Sequence, residues 1–300
     1  MTDPLSEVIG LLQPRAVFAK GITGAGPWAV RYSDFGEPSF CAVLDGRCRL
    51  AVDGQRPIVM ERGDFVLLPA TPAFTMSGFE PATPVELHPK GARTFPAREV
   101  RHGRRGGRPD VRLLGGYFVF DSPDAALLVP LLPALVHVRD AARLSELVRW
   151  VGEESLERRA GRELVLSRLI DVLLVEALRA NSGDDAPPGL LRGLADDRIA
   201  PAMRSMHAQL ARPWTVAELA KTAALSRSAF FERFTRSVGL SPMEYLLTWR
   251  MAVAKDLLRR SDAGLAEVAE KVGYGSASAF STAFTRHVGQ PPRRYARDTA

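Results

Sequence analysis

Cysteine is nearly absent from this chain. Two in 300 residues, Cys41 and Cys48, exclude a disulfide-stapled scaffold and suit a reducing compartment. Histidine is scarce as well. The five stand at positions 88, 102, 137, 207 and 287, and no two form the close H-x-H pair from which converging imidazoles build an open metal site. There is no apolar run of membrane-spanning length, ~20 residues, and no secretory leader pattern, so a cytoplasmic protein without a membrane partner is expected. Negative charge is short in one region only. Residues 199–300 hold fifteen Lys/Arg and eight Asp/Glu, about +7, whereas residues 1–198 hold twenty-five and twenty-six, about −1, which together give the net +6. Apolar residues make up 46% of the chain, ample for two cores at a length that suits two domains.

The basic third repeats itself. Ser226-Arg227-Ser228-Ala229-Phe230, Phe234-Thr235-Arg236, Val238-Gly239, Pro242 and Tyr245 return fifty residues later as Ser276-Ala277-Ser278-Ala279-Phe280, Phe284-Thr285-Arg286, Val288-Gly289, Pro292 and Tyr295. Upstream, Glu218-Leu219-Ala220 echoes Glu267-Val268-Ala269 with an offset one residue shorter, the slip falling at the turn. Each copy reads as a helix-turn-helix. In the first, Thr215 and Glu218 form a capping box, Val216, Leu219 and Ala220 give the apolar face, Ser226 caps a second helix, Phe230 and Phe234 face inward at i and i+4, and Gly239 stops it. In the second, Leu265, Val268, Ala269 and Val272 precede the turn Gly273-Tyr274-Gly275, Ser276 caps, Phe280 and Phe284 face inward, and Gly289 stops. A long helix opening at Ser241-Pro242 joins the copies and fixes their spacing.

Two recognition helices held on one chain fit successive major grooves about 34 Å apart on one duplex face. A solenoid fragment is the plain alternative, but solenoids usually need at least three repeats. Confinement of the positive charge to this region favours phosphate binding.

The tail resembles the DNA-binding domain of the AraC/XylS family of bacterial transcription regulators. The likeness is carried by Val268-Ala269, Gly273-Tyr274, Ser276, Phe280, Phe284, Gly289, Pro292 and Tyr295, runs over about a hundred residues from Arg212 to Arg297, and has Val268 where Ile is more usual. It implies a double-stranded DNA operator, RNA polymerase as a further partner of an activator, and a place on the bacterial nucleoid when bound. Aligned to the exposed side of each recognition helix, the base-facing candidates are Arg227, Ser228, Phe231, Glu232 and Thr235 in the first copy and Ala277, Ser278, Ser281 and Thr282 in the second. The set is poor in Arg, Asn and Gln. Thymine-methyl contacts, Ser/Thr hydrogen bonds and DNA shape are therefore expected to carry much of the specificity, with Glu232 a candidate acceptor from cytosine N4. Arg233, Arg236, Arg286, Arg293 and Arg294 are candidates for phosphate contacts, each with a solvated surface charge as an equal alternative. Phe231 follows Phe230 and is open to core or groove.

Asn181-Ser182-Gly183-Asp184-Asp185-Ala186-Pro187-Pro188-Gly189 reads as a linker, and a short helix from about Asp197 toward Leu210 leads into the first unit. Upstream, short β-rich runs predominate from about Trp28 to Phe120. Phe40–Leu44 and Arg47–Val52 flank Asp45-Gly46, a favoured hairpin turn; Ile58–Met60 and Phe65–Leu68 make a second hairpin-like unit; Gly115–Phe120 adds a strand. Such a series suggests a small barrel. Gly63-Asp64-Phe65-Val66-Leu67-Leu68-Pro69 resembles the second motif of the cupin barrel, and together with Asp3-Pro4-Leu5-Ser6 and Gly116-Tyr117-Phe118 it resembles the cupin-type sensor attached to AraC-type tails. That resemblance implies a ligand-holding barrel followed by helices used for dimerisation. Two apolar helical patterns, 141–159 and 163–180, fit the latter part, with packing inside one chain as the alternative.

The expected fold is thus α+β with two domains: an N-terminal cupin-like β-barrel plus a helical segment, and a C-terminal all-α double helix-turn-helix. The sensor spans 1–181, with a helical dimerisation segment at about 140–181. A linker follows at 182–196, then a DNA-binding domain at 197–300 with units at about 215–239 and 264–289. A small-molecule effector is expected in the barrel, with Trp28, Phe35, Phe40 and Phe74 as pocket candidates that equally suit a plain core. No catalytic residue, metal or cofactor is assigned, since Phe74 stands where the second cupin motif would supply its His. Asp64 reads as a turn residue, and Arg101–Arg108 as a solvated loop. Two alternatives stay open: a thiol-redox regulator using Cys41 and Cys48, and a metal-dependent cupin enzyme fused to a DNA-binding domain. In the expected hairpin the two cysteines lie a diagonal step apart, about 7–8 Å, too far for an unstrained disulfide. Control by abundance, without a ligand, is a further possibility.

Overall fold

In the computed structural model the described residues are 3–34, 36–88, 99–120, 122, 125–156, 159–180, 188–260 and 263–299. They form two compact units that are not simple intervals of the chain: one is Pro14–Asp121 with Ala134–Asn181, the other Met1–Gln13 with Ser122–Pro133 and Ser182–Ala300. The backbone therefore passes between units at four junctions, after residues 13, 121, 133 and 181. No described helix is long and apolar enough to cross a membrane.

The first unit is a curled ten-stranded sheet backed by two helices. Its long strands are β1 (Pro14–Ala25), β3 (Ser39–Val52) and β9 (Val111–Phe120); the short ones are β2 (Ala29–Tyr32), β4 (Ile58–Glu61), β5 (Phe65–Leu68), β6 (Phe74–Ser77), β7 (Val85–Leu87), β8 (Glu99–Gly103) and β10 (Val136–Val138). β3 belongs to both halves of the curl. Residues 39–46 pair with β9 and 39–42 with β5, while residues 47–50 pair with β4 and 49–52 with β6.

Here two sequence expectations are corrected. Asp45-Gly46 does not turn a hairpin, because β3 runs straight through it; the register against β9 slips between Val43 and Asp45 instead. Gly46 takes φ +75°, with the Asp110 carbonyl where a Cβ would stand. An Asp-Gly pair with a left-handed glycine serves a bulge as well as a turn. One extra residue reverses which side chains point inward, so Cys41 and Val43 before the bulge and Cys48, Leu50 and Val52 after it all join the inner core. The second expected hairpin also fails. β4 and β5 pair with separate stretches of β3 and not with each other. The corner between them is held by Gly63 (φ +92°) and by Asp64, whose Oδ2 accepts from the Glu61 N–H and from His137 Nε2, both at 3.0 Å.

β1 begins well before the expected strand region. Lys20, Gly21 and Gly24 break its β-propensity signal, yet ten residues of β9 pair with it. Helices α3 (Ala142–Leu156) and α4 (Arg162–Ala180) cover this sheet through Leu144, Leu147, Val148, Val151, Leu166, Ile170, Leu173, Leu174 and Leu178, all buried.

The second unit is all helical: α1 (Pro4–Leu12), α2 (Ala125–Leu128) with a following 3-10 turn, α5 (Leu190–Ala195), α6 (Ile199–Ala208), α7 (Val216–Thr222), α8 (Arg227–Val238), α9 (Pro242–Arg260), α10 (Leu265–Lys271), α11 (Ala277–Val288) and α12 (Pro292–Thr299). Helix α5 falls inside the stretch read as linker and buries Leu190 and Leu191. Aromatic triads repeat with the sequence. Phe230, Phe234 and Tyr245 have ring centroids 5.6 and 5.8 Å apart, and Phe280, Phe284 and Tyr295 match them at 5.5 and 5.6 Å. Helix α1 packs into this unit by Leu5, Val8, Ile9 and Leu12. Its Glu7 Oε2 lies 2.5 Å from His207 Nδ1, and the other ring nitrogen lies 2.7 Å from the Tyr245 hydroxyl, so the imidazole bridges α1 and α9.

The turns of the two repeats differ at one residue. Ala224, exposed, sits at φ +51° where the second copy has Gly273 at φ +81°. A left-handed alanine costs about 1–2 kcal/mol. Ala224→Gly is therefore expected to raise stability by about 0.5–1 kcal/mol after glycine's own chain entropy is deducted; denaturant melts of the full chain check this, and no gain would refute the strain.

Candidate nucleic-acid interface

The reader units are built from local chemistry that the sequence states openly. Thr215 Oγ1 accepts from the Glu218 N–H at 3.2 Å while Glu218 Oε2 accepts from the Thr215 N–H at 2.9 Å, completing the capping box. Hydrogen bonds from Arg212 and then Thr215 hold the Glu218 carboxyl below its ordinary range. Ser226 and Ser276 cap α8 and α11 by accepting from Ala229 N–H and Ala279 N–H at 3.3 and 3.1 Å. Gly239 and Gly289 end them in the left-handed conformation, φ +83° and +86°.

With Phe230, Phe234, Phe280 and Phe284 fully buried, the opposite faces are fixed. Arg227, Ser228, Phe231 and Glu232 are exposed on α8 and Thr235 is half-buried; on α11 Ser278 and Thr282 are exposed, Ala277 and Ser281 half-buried. Phe231 turns outward, 44% exposed. The Thr235 hydroxyl donates to the Phe231 carbonyl at 2.9 Å and Thr282 to the Ser278 carbonyl at 3.1 Å, so each oxygen keeps lone pairs free to accept. Among the phosphate candidates, Arg236, Arg286 and Arg293 are exposed and Arg294 lies 3.5 Å from Asp298. Arg233 has a different setting: its Nε donates at 2.8 Å to Asp196, which also caps the Arg198 and Ile199 N–H groups at the start of α6. Burial pushes the Asp196 carboxyl up, but the Arg233 bond and the two N–H bonds outweigh it and leave it lowered.

Arg250 is a residue that pattern reading passes over. From α9 it donates Nε and Nη2 to the Leu210 carbonyl at 3.1 and 2.9 Å, and Nη2 to the Arg212 carbonyl at 2.7 Å. A Cβ on Gly273 would meet the same Nη2 at 2.6 Å. One guanidinium thus ties the segment entering the first reader to the turn of the second. Burial lowers its pKa. A charged residue inside the apolar run of the connecting helix was the available signal.

The other unit holds a cavity of about 90 Å³ within the curled sheet. Phe40 and Phe74 line it. Trp28 does not; it is buried near one end of the sheet against Gly24, Gly78 and Gly103, where a Cβ on Gly78 would lie 2.9 Å from its indole nitrogen. Phe35 lies outside the described residues. Among the described residues the polar groups on the wall are Lys20, Tyr32, Ser39, Cys41 and Tyr117, which contain neither imidazole nor carboxylate and so do not fit the metal that many cupin barrels hold.

Both cysteines are free. Burial, then the neighbouring Cys48, pushes the Cys41 thiol far up; burial, then Asp64, pushes Cys48 up to about 12. At pH 8 both are thiols, the unreactive form. Labelling of the native protein with a thiol reagent is accordingly expected to be slow at both positions and complete only on unfolding; rapid native labelling, or a disulfide formed under mild oxidant, would contradict this. Nothing in the geometry favours the redox alternative.

A family profile described as Cupin matches residues 3–182, and one described as Helix-turn-helix domain matches residues 219–298. Along its whole length the chain is similar to a Streptomyces lividans protein named as an AraC-like transcription regulator, 39% identical over 98% of this chain and 97% of that one. A Streptomyces antibioticus protein of the same description is 38% identical over 98% of each. Among solved structures, the DNA-binding domain of AdpA bound to target DNA is 32% identical, covers 34% of this chain and 93% of that one, and superposes with a TM-score of 0.33.

Proposed function

The chain belongs to the AraC/XylS family of DNA-binding transcription regulators, and from that premise we propose that it reads a bipartite operator with the exposed faces of α8 and α11 under the control of a small molecule in the barrel cavity. The observation that carries the proposal is the duplicated unit: the same cap, aromatic pair and glycine stop occur twice and leave equivalent helix faces uncovered. Arg227, Ser228, Phe231, Glu232, Thr235, Ala277, Ser278, Ser281 and Thr282 are the base-facing set, and Arg236, Arg286, Arg293 and Arg294 contact phosphates. Arg233 acts through Asp196 to hold α6. Interval 197–300 makes the DNA contacts and interval 1–181 carries control, on the bacterial nucleoid. RNA polymerase is the further partner at promoters it activates. The relatives bear regulator names, and none of the geometry above calls for catalysis.

The test is selection of duplexes from a random library by the full chain at graded salt. Two elements about one helical turn apart, with affinity falling steeply as salt rises, support the reading. Absence of any sequence preference sinks it.

A homodimer is part of the proposal. Leu164, Val165 and Val172 of α4, the two valines two turns apart, and Trp150 of α3 are exposed apolar residues on the helical segment. Sedimentation of the full chain is expected to show a dimer that Val172→Asp converts to monomer. A wild-type monomer, or a dimer indifferent to this change, removes the helical interface.

A further inference from the structure

The two recognition helices are held unequally. Asp196, its side chain 12% exposed, divides its carboxylate between two helices. Oδ1 accepts from the Arg198 and Ile199 N–H groups at 3.0 and 3.3 Å at the start of α6, and Oδ2 accepts from Arg233 Nε at 2.8 Å and from the Ser237 hydroxyl at 3.3 Å on α8. Arg233 and Ser237 stand at i and i+4, on the side of α8 away from Arg227, Ser228, Phe231, Glu232 and Thr235. The bond through which Arg233 holds α6 therefore also fixes where the base-facing side points. The chain just before Asp196 adds to this. The Gly189 N–H donates to the Ser237 carbonyl at 3.0 Å, satisfying one of the acceptors that a helix leaves open at its end. At Gly193 of α5 a Cβ would meet Met203 Sδ at 2.6 Å and Val238 Cγ2 at 2.7 Å, so α5 lies against α8 with no room for a methyl.

Among the described residues, α11 lacks this set. Fifty residues on, the counterpart of Arg233 is Ala283 and that of Ser237 is His287. Alanine offers no polar group, and His287 Nε2 is buried without a hydrogen-bond partner. A Cβ on Gly239 would lie 3.5 Å from Pro188 Cβ, whereas one on Gly289 would meet nothing within 4 Å. Base edges are read within hydrogen-bond reach, so even a small tilt of a recognition helix loses contacts. Resting on the reading of α8 and α11 as the two readers, we propose that residues 188–196 brace the first recognition helix alone, with Asp196 as its positioning residue, so that affinity for one element of the operator is set separately from the other. Arg233 is 41% exposed, which limits what its ion pair contributes; the Ser237 bonds and the α5 packing supply the rest.

Asp196→Asn separates the two halves of the carboxylate. The one carbonyl oxygen of asparagine can keep the bonds to α6, whereas the amide group that replaces the other oxygen donates and cannot accept from Arg233 or Ser237. In the full chain, hydrogen exchange followed by mass spectrometry is expected to quicken at least about threefold in α8 and to stay unchanged in α11. On the selected duplex, well below the melting transition, binding is expected to weaken about three- to tenfold. That loss should vanish when the element whose preference Phe231→Ala relaxes is scrambled, and persist when the other element is. Gly193→Ala, which forces α5 from α8 by a different route, should act on the same element. Equal quickening in α8 and α11, or none in either, overturns the brace. Weakening that falls on both elements alike overturns the separate setting of the first. Losses in Asp196→Asn and Arg233→Gln that add in the double variant overturn Asp196 as the positioning residue and make Arg233 a phosphate contact. If the unaltered chain selects no duplex, the DNA reading fails, and the exchange measurement still decides whether α8 is braced.

Discussion

Phe230→Ala is expected to cost about 3–5 kcal/mol, the usual penalty for deleting a buried phenylalanine, whereas Phe231→Ala, one residue along, leaves thermal stability within about 0.5 kcal/mol, the range of ordinary surface changes. Phe230 is fully buried between Phe234 and the core of the first reader, and Phe231 is 44% exposed on its outer face. The first change removes a large part of the margin of a domain stable by about 5–15 kcal/mol and weakens DNA binding only as far as it unfolds the reader. The second acts on DNA alone. Loss of a base-edge contact costs about 1–3 kcal/mol and relaxes preference at one position, so the selected site should become degenerate there and nowhere else. Melting and duplex selection on both variants separate the roles. If Phe231→Ala lowers stability as much as Phe230→Ala, or leaves affinity and site preference untouched, α8 does not present this face to DNA.

Gly273→Ala is expected to disable the second reader. The new methyl falls 2.7 Å from the Ala211 carbonyl and 2.6 Å from Arg250 Nη2 at a backbone angle of φ +81°. The guanidinium end can swing aside; the Ala211 carbonyl can move only with its backbone. Left-handed alanine contributes about 1–2 kcal/mol of strain, and disturbing a charged donor's bonds adds about 1.5–3 kcal/mol. The sum expected, about 2.5–5 kcal/mol, should appear as a lowered melting midpoint and as loss of one element of the bipartite site. Arg250→Met separates the two contributions, because it removes the bonds to Leu210 and Arg212 without straining the turn. A melting curve for Gly273→Ala that overlays the unaltered protein would show that the turn has room it does not have here.

The helices of the reader were legible because their signals are local. Ser, Thr and Gly act at helix ends over three or four residues, and paired phenylalanines at i and i+4 declare the inner face, so boundaries from Thr215 to Gly289 follow from short windows of sequence. The sheet was legible only in part. Asp45-Gly46 carries the same residues whether the chain reverses or bulges, and the choice is made by β9, more than sixty residues away, which pairs with both. β1 was hidden because Lys20 and its glycines serve the cavity and the packing of Trp28 instead of the strand pattern. The role of Arg250 was hidden for a related reason: its charge stands out in an apolar helical run, but the carbonyls it satisfies belong to Leu210 and Arg212, and no periodicity records a hydrogen bond across some forty positions.

The four junctions between the units have a consequence for anyone handling the gene. A segment encoding residues 190–300 contains both helix-turn-helix units but omits Leu5, Val8, Ile9 and Leu12 of α1 and Leu128 and Leu131 of the second insert, all buried in the intact chain. The surfaces they cover would open to water, the His207 ring, stacked on Trp249, would lose its bond to Glu7, and newly exposed apolar surface promotes self-association. The reader is a mosaic of three separate stretches of sequence folded into one body. Chimaeras that exchange regulators' tails at a single splice would inherit an incomplete core, and a portable version has to be stitched from all three pieces.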